Sequence, residues 1–166
     1  MSTRPEFDTD AFKKGLAIRR AVVGDTYVDR SLNSADDLTA PLQKLVTEYC
    51  WGEIWSRPGL ARRERSFLNL AMLIALNRPH ELRLHLRGAI NNGITPAEIQ
   101  EVVLQAAIYC GVPAALDSMK AAKEAMESLQ KKLLDKIEEE RTETLSTVKN
   151  NISLIESRED FLKLED

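Results

Sequence analysis

Cysteine, glycine, proline and aromatic residues are all scarce in this chain, and each scarcity excludes something. The only two cysteines, Cys50 and Cys110, make neither a CxxC nor a metal-type spacing, so reduced thiols and a cytoplasmic protein are expected. Seven glycines, six prolines and 5% aromatics among 166 residues favour helix over sheet, and no alternating strand pattern is present, so the chain reads as all-α. No apolar run reaches the roughly 18 residues that a membrane span needs. The start, MSTRPEFDTD, is polar and acidic, unlike a secretory leader. A formal net charge of −3 gives no global attraction for nucleic acid.

What is present is helix punctuation. A Thr9/Asp10 cap opens a helix that stops at Gly24, with Phe12, Leu16, Ile18, Val22 and Val23 at helical spacing. DTYVDRSLNSADD reads as a polar linker. Thr39 is the expected N-cap of the next helix, with Pro41 in its first turn, and SRPGL ends it. A helix from about Ala61 to Asn77 follows; its middle, LNLAMLIAL, is apolar nearly all round and should be buried on most sides. Pro79 starts another helix ending at Asn92-Gly93. Thr95 and Glu98 stand at capping-box spacing around Pro96, and Pro113 opens the last long helix. The expectation is a bundle of about six helices plus a C-terminal helical extension.

Composition shifts near Gln130. Residues 1–129 carry 16 basic and 16 acidic side chains, and residues 130–166 carry 7 and 10, with no glycine, proline or tryptophan. Leu145, Val148, Ile152 and Ile155 follow a 3-4-3 spacing with Leu162 a heptad further on, while Leu133 and Ile137 lie out of phase. A domain over 1–129 and a coiled-coil-like extension over 130–166 are expected. The extension either packs on its own domain or a sister subunit, or is a fused segment that presents a helix to a partner.

Between Arg57 and Arg87 there are seven arginines, no lysine and two acids, Glu64 and Glu81. An arginine fork matches a carboxylate with two hydrogen bonds, so this bias points to a small di- or tricarboxylate; ion pairing across a subunit interface is the competing account. Both histidines fall in the same stretch, ALNRPHELRLHLRGAINNG. Helical geometry puts Arg78, Glu81 and His85 along one edge of the Leu82/Leu86/Ala89/Ile90 stripe and His80, Arg83 and Arg87 on a more exposed face. Imidazole as a side-chain type suits moving a proton near neutrality, so either histidine is a candidate.

The sequence resembles the 4-carboxymuconolactone decarboxylase family over about residues 5–128, most specifically in WGEIWSRPGL, SFLNLAMLIALNRPHELRLHLRGA and AAIYCGVPAA. The resemblance implies a helical subunit assembled as a homo-oligomer, trimer or hexamer. It also implies loss of CO2 from γ-carboxymuconolactone, giving β-ketoadipate enol-lactone in protocatechuate catabolism. Family members of peroxidase type use a CxxC followed by a histidine. Here that pattern reads Arg78-x-x-Glu81 followed by His85, so thiol redox chemistry is excluded at that place.

The substrate so implied is its own electron sink, because the electrons left by CO2 flow through the ring C=C onto the lactone carbonyl. No cofactor is therefore expected, and the chain has no motif for pyridoxal phosphate, thiamine or a metal. Expected roles are His80 or His85 as proton donor, Arg65 and Arg78 gripping carboxylates, and Glu81 or Glu53 orienting the histidine. Trp51 and Trp55 are either pocket walls or plain core aromatics. The alternatives are a related carboxylactone lyase or isomerase, and a ring-forming scaffold that displays its C-terminal helix.

Overall fold

The computed structural model describes residues 4–162, with side chains as far as Ile155. Leu162, the last position of the expected heptad stripe, has its side chain outside the described residues. A 3-10 turn (Pro5–Phe7) leads into α1 (Asp10–Val23), α2 (Asp25–Asn33) and α3 (Ala40–Leu45), which continues as a π-helical segment, Val46–Ile54. Then come α4 (Arg62–Ala75), α5 (Pro79–Asn91), α6 (Pro96–Cys110) and α7 (Val112–Leu162). Among the described residues the architecture is all-α. The chain divides into two compact units at the Met126–Glu127 boundary, which falls within α7.

The caps explain most of the boundaries. Thr9 Oγ1 accepts a hydrogen bond from the Phe12 N–H at 3.1 Å. Thr95 and Glu98 form a complete capping box, with Thr95 N–H donating to Glu98 Oε2 at 2.9 Å. Asn77, at φ 51, ends α4 in a Schellman motif: its N–H donates to Ile74 O and that of Arg78 to Leu73 O. Pro79 then starts α5 at its first position. Gly93, at φ 83, closes α5 in the same way.

Three local expectations need correction. The polar stretch after Gly24 is helical as α2, because Val28 and Leu32, one turn apart, are buried, and Asp25 and Asp29 pair with Arg20. Thr39 is the N-cap residue, but its hydroxyl does not cap α3. It donates to Asp36 Oδ1 at 2.7 Å, and that carboxylate also accepts the Thr39 N–H. The apolar helix α4 is one-sided within a single chain: Ser66, Leu70 and Ile74 are buried, while Leu68, Met72 and Leu76 are 50, 51 and 65% exposed. Among the described residues α5 and α6 pack most closely against it, and these outer side chains stay exposed.

Unit 1 holds two apolar clusters. One joins α4, α5, α6 and the start of α7 around Leu70, Leu86, Ile94 and Ile99. The other joins α1, α2, α3 and the π segment around Phe12, Val22, Val28 and Trp51. Helix α5 serves both, since Leu82, Leu86 and Ala89 enter the first and Leu84 enters the second. His85 follows Leu84 directly and stands at the seam.

Candidate active site

The site begins with two glycines. A Cβ built on Gly15 of α1 would lie 1.8 Å from the backbone oxygen of Thr47, and one on Gly52 would lie 3.2 Å from Ala11 O. Only a residue without a side chain lets α1 and the π segment approach so closely. Four residues after Gly15, the buried Arg19 donates to Thr47 Oγ1 and to Gln43 Oε1, each at 3.0 Å, and to Ser31 Oγ at 3.3 Å. Neutral acceptors thus satisfy a buried cation and tie the segment to α1 and α2.

Within that segment Trp55 N–H donates to Cys50 O at 3.0 Å, the i→i−5 bond of a π-helix. The wider register brings Trp51 and Trp55, four residues apart, nearly into line, with ring centroids 4.7 Å apart. Both indoles are buried, at 5 and 6% exposure. The His85 ring lies nearly parallel to Trp51 (9°, centroids 6.3 Å) and 6.4 Å from Trp55.

On its other side His85 meets α4, where Asn69 Nδ2 stands 3.4 Å from His85 Nδ1. Burial pushes the imidazole below its ordinary pKa of 6.5, and the Glu81 carboxylate, one turn earlier on α5, pulls the other way without overcoming it. One turn before Asn69, Arg65 is half-buried. Its Nη2 donates to Arg57 O at 3.1 Å, and its buried Nε–H has no hydrogen-bond partner.

The sequence-predicted residues therefore separate. His85, Trp51 and Trp55 come together, with Glu81 close enough to act on the imidazole electrostatically. Arg65 stands one turn from Asn69, itself against His85. His80, Arg78 and Glu53 are exposed. Arg78 is the residue before α5 and lines a small cleft with Asp117 and Ser118. Two arginines of the cluster are engaged elsewhere: Arg63 pairs with Glu98, and Arg83 with Glu124 at 3.1 Å. Asn69 and Arg19 escaped the sequence reading. A single amide inside the apolar run LNLAMLIAL was the available signal for Asn69; for Arg19 none stood out.

The match to known proteins falls on this region. The profile of the Carboxymuconolactone decarboxylase family matches residues 40–124. A nitrosuccinic acid decarboxylase of Metarhizium robertsii is 46% identical over 118 residues, 71% of this chain and 82% of that protein. The chain belongs to the carboxymuconolactone decarboxylase family. A second relative, the 4-carboxymuconolactone decarboxylase of Acinetobacter baylyi, is 42% identical over 122 residues, 74% of this chain and 91% of the relative. The family match takes in the π segment, α4, α5 and α6, and so Trp51, Trp55, Asn69 and His85 together. Cys50 and Cys110 are free thiols, and burial pushes the Cys50 thiol up, away from the reactive thiolate.

Proposed function

We propose that this chain catalyses cofactor-independent decarboxylation of γ-carboxymuconolactone, with His85 as the group that meets the charge released by the departing CO2. The observation that carries the reading is the half-buried imidazole between Trp51, Trp55 and Asn69, inside the region shared with named decarboxylases.

The names of the two relatives share a chemistry. Nitrosuccinic acid and carboxymuconolactone are both dicarboxylic acids in which one carboxylate sits on a carbon whose electrons can pass to an electronegative oxygen. In the lactone the ring-carbon–carboxylate bond breaks, and its electron pair moves through the ring C=C to the lactone carbonyl oxygen. CO2 leaves, and the ring carbon next to the carbonyl takes up one proton, so one proton is consumed for each CO2.

A protein accelerates this by stabilising the oxyanion more than the ground-state carbonyl. Burial keeps the His85 imidazole neutral near pH 7, which suits it to donate a hydrogen bond to that oxygen and makes it a poor store of protons. Water then supplies the proton that reaches carbon. Arg65, with an unengaged Nε–H one turn from Asn69, grips the acetate arm that is retained. Trp51 and Trp55 give the ring an apolar wall to pack against. Glu81 borders the α5 end of the site, and Arg78, His80 and Glu53 hold outer positions.

The active form is a homo-oligomer in which the exposed α4 face (Leu68, Met72, Leu76) and the exposed α6 residues Leu104 and Ile108 meet other subunits. The helix beyond Leu129, described as far as Leu162, is an extension separate from the site, and truncation after Leu129 leaves turnover intact. The test is direct: purified full chain is mixed with γ-carboxymuconolactone and, in parallel, nitrosuccinate, and CO2 is measured. Release from the lactone supports the proposal. Release from nitrosuccinate alone reassigns the substrate, and release from neither rejects both.

A further inference from the structure

We propose that Asn69 is a positioning residue that holds His85 in the tautomer with its proton on Nε2, so that Nε2–H is the hydrogen-bond donor aimed at the reacting oxygen. The catalytic half of this rests on the decarboxylase reading above. The positioning half stands on geometry alone.

A neutral imidazole has one donor and one acceptor nitrogen, and the group facing one nitrogen decides which is which. The atom facing His85 Nδ1, at 3.4 Å, is the Asn69 amide nitrogen. An amide NH2 only donates, so this arrangement is satisfied when Nδ1 accepts and the proton resides on Nε2. The two indole rings lie together on one side of the imidazole, with centroids 6.3 and 6.4 Å from it and planes inclined by 9° and 27°. The groups facing the ring from the packed elements are therefore the Asn69 amide from α4, the Trp51 and Trp55 rings from the π segment, and Glu81 from α5 itself. The carboxylate at 81 opposes the effect of burial without reversing it.

A neutral Nε2–H donor differs in consequence from the acid first expected of a histidine here. It lends a hydrogen bond to the oxyanion and keeps its proton throughout the cycle, and the proton consumed in the reaction passes from water to carbon.

The experiment uses the full chain with its histidines labelled in 15N, without substrate, at neutral pH. The chain has two histidines, and His80→Gln assigns the two imidazole signals. The expected spectrum shows His85 with an unprotonated Nδ1 and a proton on Nε2. In Asn69→Asp the carboxylate can only accept, so Nδ1 becomes protonated. In Asn69→Ala the preference relaxes to a mixture of tautomers. A wild-type His85 protonated on Nδ1, or an unchanged Nε2–H tautomer in Asn69→Asp, overturns the positioning role. Should Asn69→Asp not fold, the wild-type spectrum and Asn69→Ala decide.

Turnover is then compared on whichever of the two acids releases CO2. Asn69→Asp should lower kcat by roughly 100-fold, the scale of losing one oxyanion donor, with KM changed far less. A kcat within threefold of wild type, in a variant whose tautomer has moved, overturns the catalytic consequence. If wild type releases CO2 from neither acid, the decarboxylase reading fails by itself, and the nitrogen spectra still settle what Asn69 does.

Discussion

Replacing Gly15 by alanine tests how the site is held together. The added methyl would sit 1.8 Å from Thr47 O and 2.8 Å from Thr47 C, well inside contact distance. Both are backbone atoms, so no side-chain rotation relieves the clash. In an unobstructed helix interior Gly→Ala gains up to about 1 kcal/mol. Overpacking costs about 1–3 kcal/mol where side chains can adjust, and a backbone obstacle puts this site at or above the upper end. The clash should win, leaving a net loss of about 2 kcal/mol or more. Because the displaced segment carries Trp51 and Trp55, the near-UV circular dichroism of the indoles should change as well. Gly59→Ala is the control: nothing lies within 4 Å of its Cβ, and its effect should stay within about 0.5 kcal/mol. Urea denaturation of the three proteins, with their near-UV spectra, gives the answer. A Gly15→Ala protein as stable as its parent, with unaltered indole signals, would refute the close approach of α1 and the π segment.

Three further outcomes follow from the same structure. Thr95→Ala removes the acceptor for the Glu98 N–H and half of the capping box, and should cost about 1 kcal/mol in urea denaturation, with Thr95→Ser close to wild type. The folded protein binds a proton at His85 less readily than the unfolded chain does, since its pKa is depressed below 6.5. Its share of stability is thus complete above that value and is lost as pH falls through the folded pKa, and His85→Gln should remove this acid-side decline when stability is measured against pH. Met72→Asp places a charge on a half-exposed position of the outer α4 face; light scattering should show smaller assemblies with unchanged helical content, and an unaltered mass would exclude that face as an interface.

What was legible in the sequence was local. Thr9, Gly24, Pro79 and the Thr95/Glu98 pair mark helix ends because caps act within one turn. Helix α2 was hidden because Val28 and Leu32 are its only buried residues, too few for a visible period. The π register was hidden because it arises from a tertiary approach to Gly15 across more than thirty residues of chain. The run 68–76 reads as buried on most sides, yet Leu68 and Leu76 are exposed, since hydrophobicity alone does not say which face of a helix packs. At the site, His85 was marked by its place on the edge of the α5 stripe, but its neighbours on α4 and the π segment are brought to it only by packing.

The decisive measurement is CO2 release by wild type and His85→Ala, side by side, from γ-carboxymuconolactone. The account predicts release by wild type and a loss of roughly 100-fold or more in the variant, as for removal of an oxyanion donor, with folding intact by circular dichroism. A folded His85→Ala protein that releases CO2 at the wild-type rate would contradict it.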